Sequence, residues 1–198
     1  MSATATMRLE APESWSLPYK GSVAMASLII AESAIFTIFV VAYLFYVGKS
    51  LTGPTPAEVL EVPISYTICL LSSSLTVHLA AKFLERGKRS AFLGWWLLTI
   101  VLGGLFLFGT GQEWHRLIYE HGLTISTNLF GTTYYSLVGL HAFHVSAGLI
   151  MLSIVLIFGL LGRVGLEHSR RIGVLAMYWH FVDVVWVVVF TVVYVLGR

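Results

Sequence analysis

Long apolar segments separated by short polar stretches make up the chain from residue 22 onward. A membrane-spanning helix needs about 20 mostly apolar residues, and five segments qualify: roughly 22–48, 63–84, 90–112, 130–161 and 171–196. No stretch alternates polar and apolar residues as the strands of a membrane barrel do. Because a backbone in lipid must satisfy its own hydrogen bonds, each segment is predicted to be α-helical. The pattern predicts an all-α, polytopic membrane protein with a bundle of five transmembrane helices.

The polar stretches indicate one membrane domain, residues 22–198, preceded by a polar arm. Three connections (51–62, 85–90 and 162–170) are short, and residues 113–128 form the longest and most mixed one. Residues 1–21 lack a basic start followed by an apolar core, so we predict a cytoplasmic N-terminal arm and no cleaved signal peptide. The sequence indicates neither a second domain nor an internal repeat.

The distribution of Lys and Arg predicts the orientation. With the N-terminus inside, nine basic residues lie on the cytoplasmic side, and only Lys49, Arg116 and Arg198 lie outside. Cytoplasmic loops of membrane proteins are enriched in Lys and Arg. We therefore predict a multi-pass protein of the bacterial cytoplasmic membrane, with a cytoplasmic N-terminus and a C-terminus on the outside.

The composition agrees with a membrane protein and limits the chemistry. Hydrophobic residues make up 57% of the chain and charged residues 11%, against about 25% charged residues in soluble domains. The net charge of +2 does not suggest nucleic acid as a partner. The single cysteine, Cys69, excludes an internal disulfide and any metal motif built on paired thiolates.

Ionisable side chains within the apolar segments are the candidate functional residues, because each is costly near the bilayer centre. Glu32 lies about ten residues into the first segment, close to mid-membrane at 1.5 Å per residue. It is either a proton-linked or assembly-critical carboxyl, or part of a neutral hydrogen bond between helices. The other candidates are His78, His141, His144, His180 and Asp183, with Glu113 close to a membrane boundary.

His141 and His144 are three residues apart and share one helical face. Two such histidines suit a metal or haem site, but the Glu-x-x-His motifs that complete a di-metal site in helical bundles are absent from the sequence. We favour the second interpretation, in which both side chains form hydrogen bonds between packed helices.

The stretch YWHFVDVVW, residues 178–186, places a histidine and an aspartate one helical turn apart. Trp179 and Trp186 lie on the same face as Asp183. We predict that His180 and Asp183 form a buried hydrogen-bonded pair that fixes the last helix against its neighbours. A proton relay through His180 is the alternative, and His78, near the cytoplasmic end of the second helix, is interpreted as structural.

The same stretch, continued as YWHFVDVVWVVVFTVVYVLG, closely resembles the last helix of subunit III of haem–copper terminal oxidases, which include cytochrome c and quinol oxidases. FGTTYYSLVGLHAFHVSAGLIML, from residue 130, is similar to the family's penultimate helix. Glu32 matches its membrane-buried glutamate, and GQEWHRL, with Glu113, is similar to the end of its middle helix. The resemblance covers residues 22–198.

The resemblance implies a non-catalytic subunit of a respiratory complex that reduces O2, translocates protons and accepts electrons from cytochrome c or quinol. Haem and copper would lie in the partner subunits I and II and not in this chain. The chain would stabilise subunit I, sustain proton uptake and hold phospholipid. Glu32 would belong to the lipid or oxygen-access region, whereas helix contacts and the lipid-facing groove would be fixed by His141, His144, Trp179, His180, Asp183 and Trp186.

With five predicted helices, the chain resembles the short bacterial form of the family, whereas longer members have seven. The lipid cleft of the longer members would then be open or completed by another subunit. A short form also accompanies nitric oxide reductases. Two further classes stay open at this point: a haem-binding membrane anchor of the cytochrome b type, and a small transporter or proton channel.

Overall fold

The computed structural model describes residues 19–50 and 52–197, so most of the predicted N-terminal arm lies outside the described residues. Its helices are α1 Lys20–Tyr46, α2 Pro56–Val59, α3 Ile64–Glu85, α4 Arg89–Tyr119, α5 Leu129–Leu160 and α6 Ser169–Phe190. A 3₁₀ turn, Leu166–His168, precedes α6, and a π-helical turn, Thr191–Leu196, follows it. The described residues contain no β-strand, and five of their helices are long and apolar enough to cross a membrane. The predicted all-α class is confirmed.

The largest difference from the predicted boundaries is at the end of α4. We expected this helix to end near residue 112 and a connection to follow, but α4 continues to Tyr119. The polar residues of this last part end the apolar run without ending the helix. Leu117 is fully buried on the inner side, which keeps these two turns packed against the bundle.

α3 and α4 form a helical hairpin with the most extensive contact in the molecule. The turn between them is tight because Gly87 adopts φ +70°, a left-handed conformation that costs glycine little. The turn is basic, since it carries Arg86, Lys88 and Arg89. We call the end of the bundle that contains this turn the basic end.

α6 occupies the centre of the bundle and contacts α1, α3 and α5. Of its most apolar 18-residue window, 56% of the residues are buried, against 11% for α1. The candidate residues of the YWHFVDVVW stretch are therefore inside the bundle, whereas α1 is peripheral.

The Trp179 ring shows how closely the helices approach α6. A Cβ added at Gly103 of α4 would lie 2.8 Å from one edge of this ring, and a Cβ added at Gly148 of α5 would lie 2.7 Å from another edge. Both distances are shorter than a normal carbon–carbon contact of about 3.5–4.0 Å. The two glycines therefore make room for a fully buried indole between three helices.

Candidate functional site

Three side chains of α6 are held by hydroxyl groups of α3. The contacts are Trp186 Nε1 donating to Thr67 Oγ1 (3.2 Å), Trp179 Nε1 donating to Ser73 Oγ (2.8 Å), and His180 Nδ1 with Ser74 Oγ (2.6 Å). We call these six residues together with Asp183 the α3–α6 seam. The serine and threonine side chains of α3 are short, so these bonds hold α6 close to α3. They fix both the position of α6 along the bundle axis and its rotation.

Asp183 is the exception in the seam, and the predicted bond between His180 and Asp183 is not formed. Asp183 is 3% exposed, and neither carboxyl oxygen has a hydrogen-bond partner among the described residues. His180 instead contacts Ser74. The spacing correctly placed the two residues one turn apart, but side chains on adjacent turns need not be in contact. Ser74, on the neighbouring helix α3, is the better placed partner for His180.

His144 joins α1 to α5. A carbonyl oxygen can only accept, so His144 Nδ1 carries a proton and donates to the Leu140 carbonyl oxygen (2.8 Å). The other ring nitrogen, His144 Nε2, lies 3.2 Å from Glu32 Oε2. One proton between these two atoms completes the contact, either as a neutral carboxylic acid donating to a neutral imidazole or as an ion pair. Of the two interpretations of Glu32, the hydrogen bond between helices is present in the structure, and its partner is His144.

His141 does not form the hydrogen bond that we expected. Its side chain is fully buried, and neither ring nitrogen has a partner within the described part of the chain. The imidazole stacks on Trp186 with centroids 5.0 Å apart and meets the edge of Phe106 at 5.7 Å. Aromatic packing, not hydrogen bonding, holds this histidine.

His141 and His144, the pair that could suit a metal or haem site, are both surrounded by protein groups. Both ring nitrogens of His144 are engaged, and aromatic rings enclose His141. Across residues 19–50 and 52–197, no three His, Cys, Asp or Glu side chains are grouped so that they could hold a metal ion.

Glu113 belongs to a second polar cluster, close to the opposite end of the bundle from the basic end. The Tyr194 hydroxyl, in the π-helical turn, lies 3.0 and 2.9 Å from its two carboxyl oxygens. The Tyr134 hydroxyl of α5 is 3.4 Å from that of Tyr194. Neither tyrosine was among the predicted site residues, because their burial and their approach to Glu113 depend on the packing of distant helices.

His78 lies closer to the basic end and is exposed on α3. Its ring centroid is 6.3 Å from that of His180. The two histidines therefore continue the seam from the buried Asp183 towards the bundle surface.

Two of the cavities between helices lie along α6, one beside His180 and one at the basic end. An apolar groove of about 520 Å³ lies between α1 and α6, with Ser33, Thr37 and His180 as its polar groups. A second cavity of about 340 Å³ lies where α5 ends and α6 begins, and it combines an apolar wall with Arg163, His168 and Arg171.

The fold and the site define an integral membrane protein in which the polar groups inside the bundle mainly join one helix to another. Comparison with known proteins gives the family. The model of the family "Cytochrome c oxidase subunit III" matches residues 22–198. The chain therefore belongs to this family and is a subunit III of a haem–copper oxidase complex, as the sequence motifs predicted.

Three similar proteins illustrate the range of the family. "Cytochrome c oxidase subunit 3" of Alkalihalophilus pseudofirmus is 36% identical over 168 residues, which cover 84% of this chain and 82% of that protein. The protein of the same name in Bacillus subtilis is 34% identical over 171 residues, covering 84% and 81%. "Cytochrome bo(3) ubiquinol oxidase subunit 3" of Pseudomonas aeruginosa is 32% identical over 171 residues, covering 85% and 81%.

Proposed function

We propose that this chain is the non-catalytic subunit of a proton-translocating terminal oxidase, in which it stabilises subunit I. One observation carries the proposal: most of the residues that define the family resemblance contact other helices of the same bundle. Trp179, His180 and Trp186 are held by α3, and His144 is held by Glu32 of α1. Side chains engaged in this way hold a shape and leave few groups for chemistry on a substrate.

Haem and copper belong, in this proposal, to the partner subunits I and II. The enclosed ring of His141 and the two engaged nitrogens of His144 support this assignment. The outer surface supports a location within the membrane, since all five long helices expose large apolar side chains.

The electron donor is cytochrome c or a quinol. Relatives of similar identity bear names of both kinds, so the choice lies with the partner subunits. Oxidation of reduced cytochrome c and of a quinol by the purified complex, measured side by side, distinguishes the two donors.

The orientation follows the positive charges, and the structure brings several of them together. The basic end carries Arg86, Lys88 and Arg89, and it also carries the start of α6 with Arg170 and Arg171. We propose that this end is cytoplasmic, in the cytoplasmic membrane of a bacterium. Cysteine labelling of each end in intact cells, with a reagent that does not cross membranes, tests the orientation.

A phospholipid is the further component that we propose for this subunit. Arg163, His168 and Arg171 line one cavity together with apolar side chains of α5 and α6, and a basic pocket of this kind suits an anionic head group beside acyl chains. Native mass spectrometry of the complex should detect a retained lipid, and Arg163→Gln with Arg171→Gln should reduce its occupancy.

The stabilising role is tested by removing one contact of the seam. Trp179→Phe deletes the indole N–H that bonds Ser73, whereas Trp114→Phe deletes an indole N–H that has no partner among the described residues. We expect Trp179→Phe to lower the amount of assembled oxidase while turnover per assembled complex stays unchanged, and Trp114→Phe to have a smaller effect. Normal assembly with lost turnover in Trp179→Phe would contradict the proposal.

A further inference from the structure

Asp183 carries a buried carboxyl group that forms none of the hydrogen bonds between the described helices. It lies between Trp179 and Trp186 on the inner face of α6, and both tryptophans are bonded to α3. Its own oxygens have no partner among the described residues, and its side chain is almost completely buried. A buried polar group without a partner in a well-packed structure requires an explanation.

A carboxylate without a hydrogen-bond donor is very costly in an apolar interior. A carboxylic acid that keeps its proton avoids most of this cost. Inside a membrane, such residues usually line pathways for ions or protons. The position therefore suits a group that binds and releases a proton, provided that a route to the surface exists.

The α3–α6 seam, together with the neighbouring His78, offers such a route. Ser74 lies beside Asp183 without a hydrogen bond to its carboxyl, and the Ser74 Oγ is 2.6 Å from His180 Nδ1. His180 is half-buried, and its ring lies 6.3 Å from the ring of the exposed His78. His78 is seven residues from the last residue of α3, about 10 Å along the helix axis from the basic end.

The route leads towards the basic end and not towards the other end. Past Asp183, the next seam residue is Trp186, whose N–H is already engaged by Thr67. Three further carboxyl or imidazole groups inside the bundle are separately engaged or enclosed. Glu32 contacts His144, His141 is covered by aromatic rings, and Glu113 contacts Tyr194.

We propose that Asp183 is a proton-binding site inside the membrane, and that it exchanges its proton with the basic end of the bundle through Ser74, His180 and His78. This proposal goes beyond the stabilising role proposed above and does not depend on it.

Each step conserves protons. The O–H bond of Asp183 breaks as its proton passes to Ser74 Oγ, while the proton of Ser74 passes to His180 Nδ1. The resulting imidazolium releases the proton on its Nε2 to water or to His78. The net result is one proton delivered and one negative charge left on Asp183, and the reverse sequence restores the acid.

Infrared spectroscopy of the intact oxidase complex tests the protonation of Asp183. At neutral pH the complex should show the carbonyl band of a protonated carboxylic acid that is missing in Asp183→Asn. The asparagine has nearly the same shape, so the packing is preserved. If the difference spectrum of wild type and Asp183→Asn contains no such band, the proposal is overturned.

The route is tested by the rate at which this band shifts after transfer to D2O. Ser74→Ala should slow the shift by about tenfold or more, equivalent to about 1.4 kcal/mol in the barrier. Ser73→Ala is the matched control, because it removes the neighbouring hydroxyl of the same seam without touching His180. A wild-type rate in Ser74→Ala, or equal slowing in both variants, overturns the route.

If the Ser74→Ala complex does not assemble, His180→Gln is a second variant that tests the same route. Glutamine can still hydrogen-bond to Ser74, but it cannot carry a proton. We expect the same slowing as in Ser74→Ala, with normal amounts of assembled complex. A wild-type exchange rate in an assembled His180→Gln complex would also overturn the route.

Discussion

The packing of the Trp179 ring gives a quantitative prediction for two neighbouring glycines of α4. A methyl group added at Gly103 would lie 2.8 and 2.9 Å from two atoms of this ring and 3.0 Å from Leu149. The ring has no room to move away, because Gly148 lies against its other edge and its N–H is bonded to Ser73. Gly104, the next residue, has open space at the same position.

The expected magnitude follows from two opposing terms. Alanine is a better helix former than glycine by about 1 kcal/mol, and this gain applies equally to Gly103→Ala and Gly104→Ala. Overpacking a tight site costs about 1–3 kcal/mol, and this cost applies only to Gly103→Ala. We therefore expect Gly103→Ala to be less stable than Gly104→Ala by about 1–3 kcal/mol, which is roughly one to two orders of magnitude in the folding equilibrium.

Unfolding of the full chain in mixed detergent micelles, followed by tryptophan fluorescence, measures this difference directly. The amount of subunit that co-purifies with the oxidase gives an independent measurement, and Gly104→Ala should match wild type in it. Equal free energies of unfolding for the two variants would refute the reasoning, because they would show that Trp179 does not fill the space between α4 and α5.

Three further predictions concern single polar contacts. Glu32→Ala should destabilise the chain by about 1–3 kcal/mol because it leaves His144 Nε2 without its partner, and Glu32→Gln should cost less, both measured by micelle unfolding. Tyr194→Phe should lower the melting temperature of the complex, since it removes the hydroxyl that donates to Glu113; an unchanged melting temperature would argue against this contact. The pKa of Glu58 lies below its usual value because the backbone N–H of Thr55, which precedes α2, donates to its carboxylate. Its contribution is complete above the ordinary pKa of a glutamate and is lost as the pH falls through the lowered one, so the amide protection factors in α2, which are corrected for the intrinsic exchange rate at each pH, should fall only in that acidic range.

The five long helices could be predicted from the sequence because a span of lipid imposes a length on each apolar run. Four of the five runs are recovered to within about two residues at most ends, and the exception, α4, is longer because its last turns leave the apolar pattern. The family resemblance was also available at this stage, since motifs such as WHFVDVVW are local in sequence.

The hydrogen-bond partners could not be predicted. Asp183 was expected to bond His180, but His180 contacts Ser74, which is 106 residues away in sequence. Tyr194 contacts Glu113 across 81 residues. Such contacts depend on which helices become neighbours and on how each is rotated, and apolar residues on all sides of these helices leave the inward face undefined by pattern alone.

The sequence by itself determined the helix-forming segments, the membrane class and the family, because backbone hydrogen bonding in lipid and the length of the apolar runs are local constraints. Only the tertiary structure decided that α6 is central, that hydroxyl groups of α3 hold its rings, and that Asp183 has no hydrogen-bond partner among residues 19–50 and 52–197. These features arise from close packing between distant segments, where the room made by Gly103 and Gly148 fixes the position of Trp179 and, with it, the register of the seam.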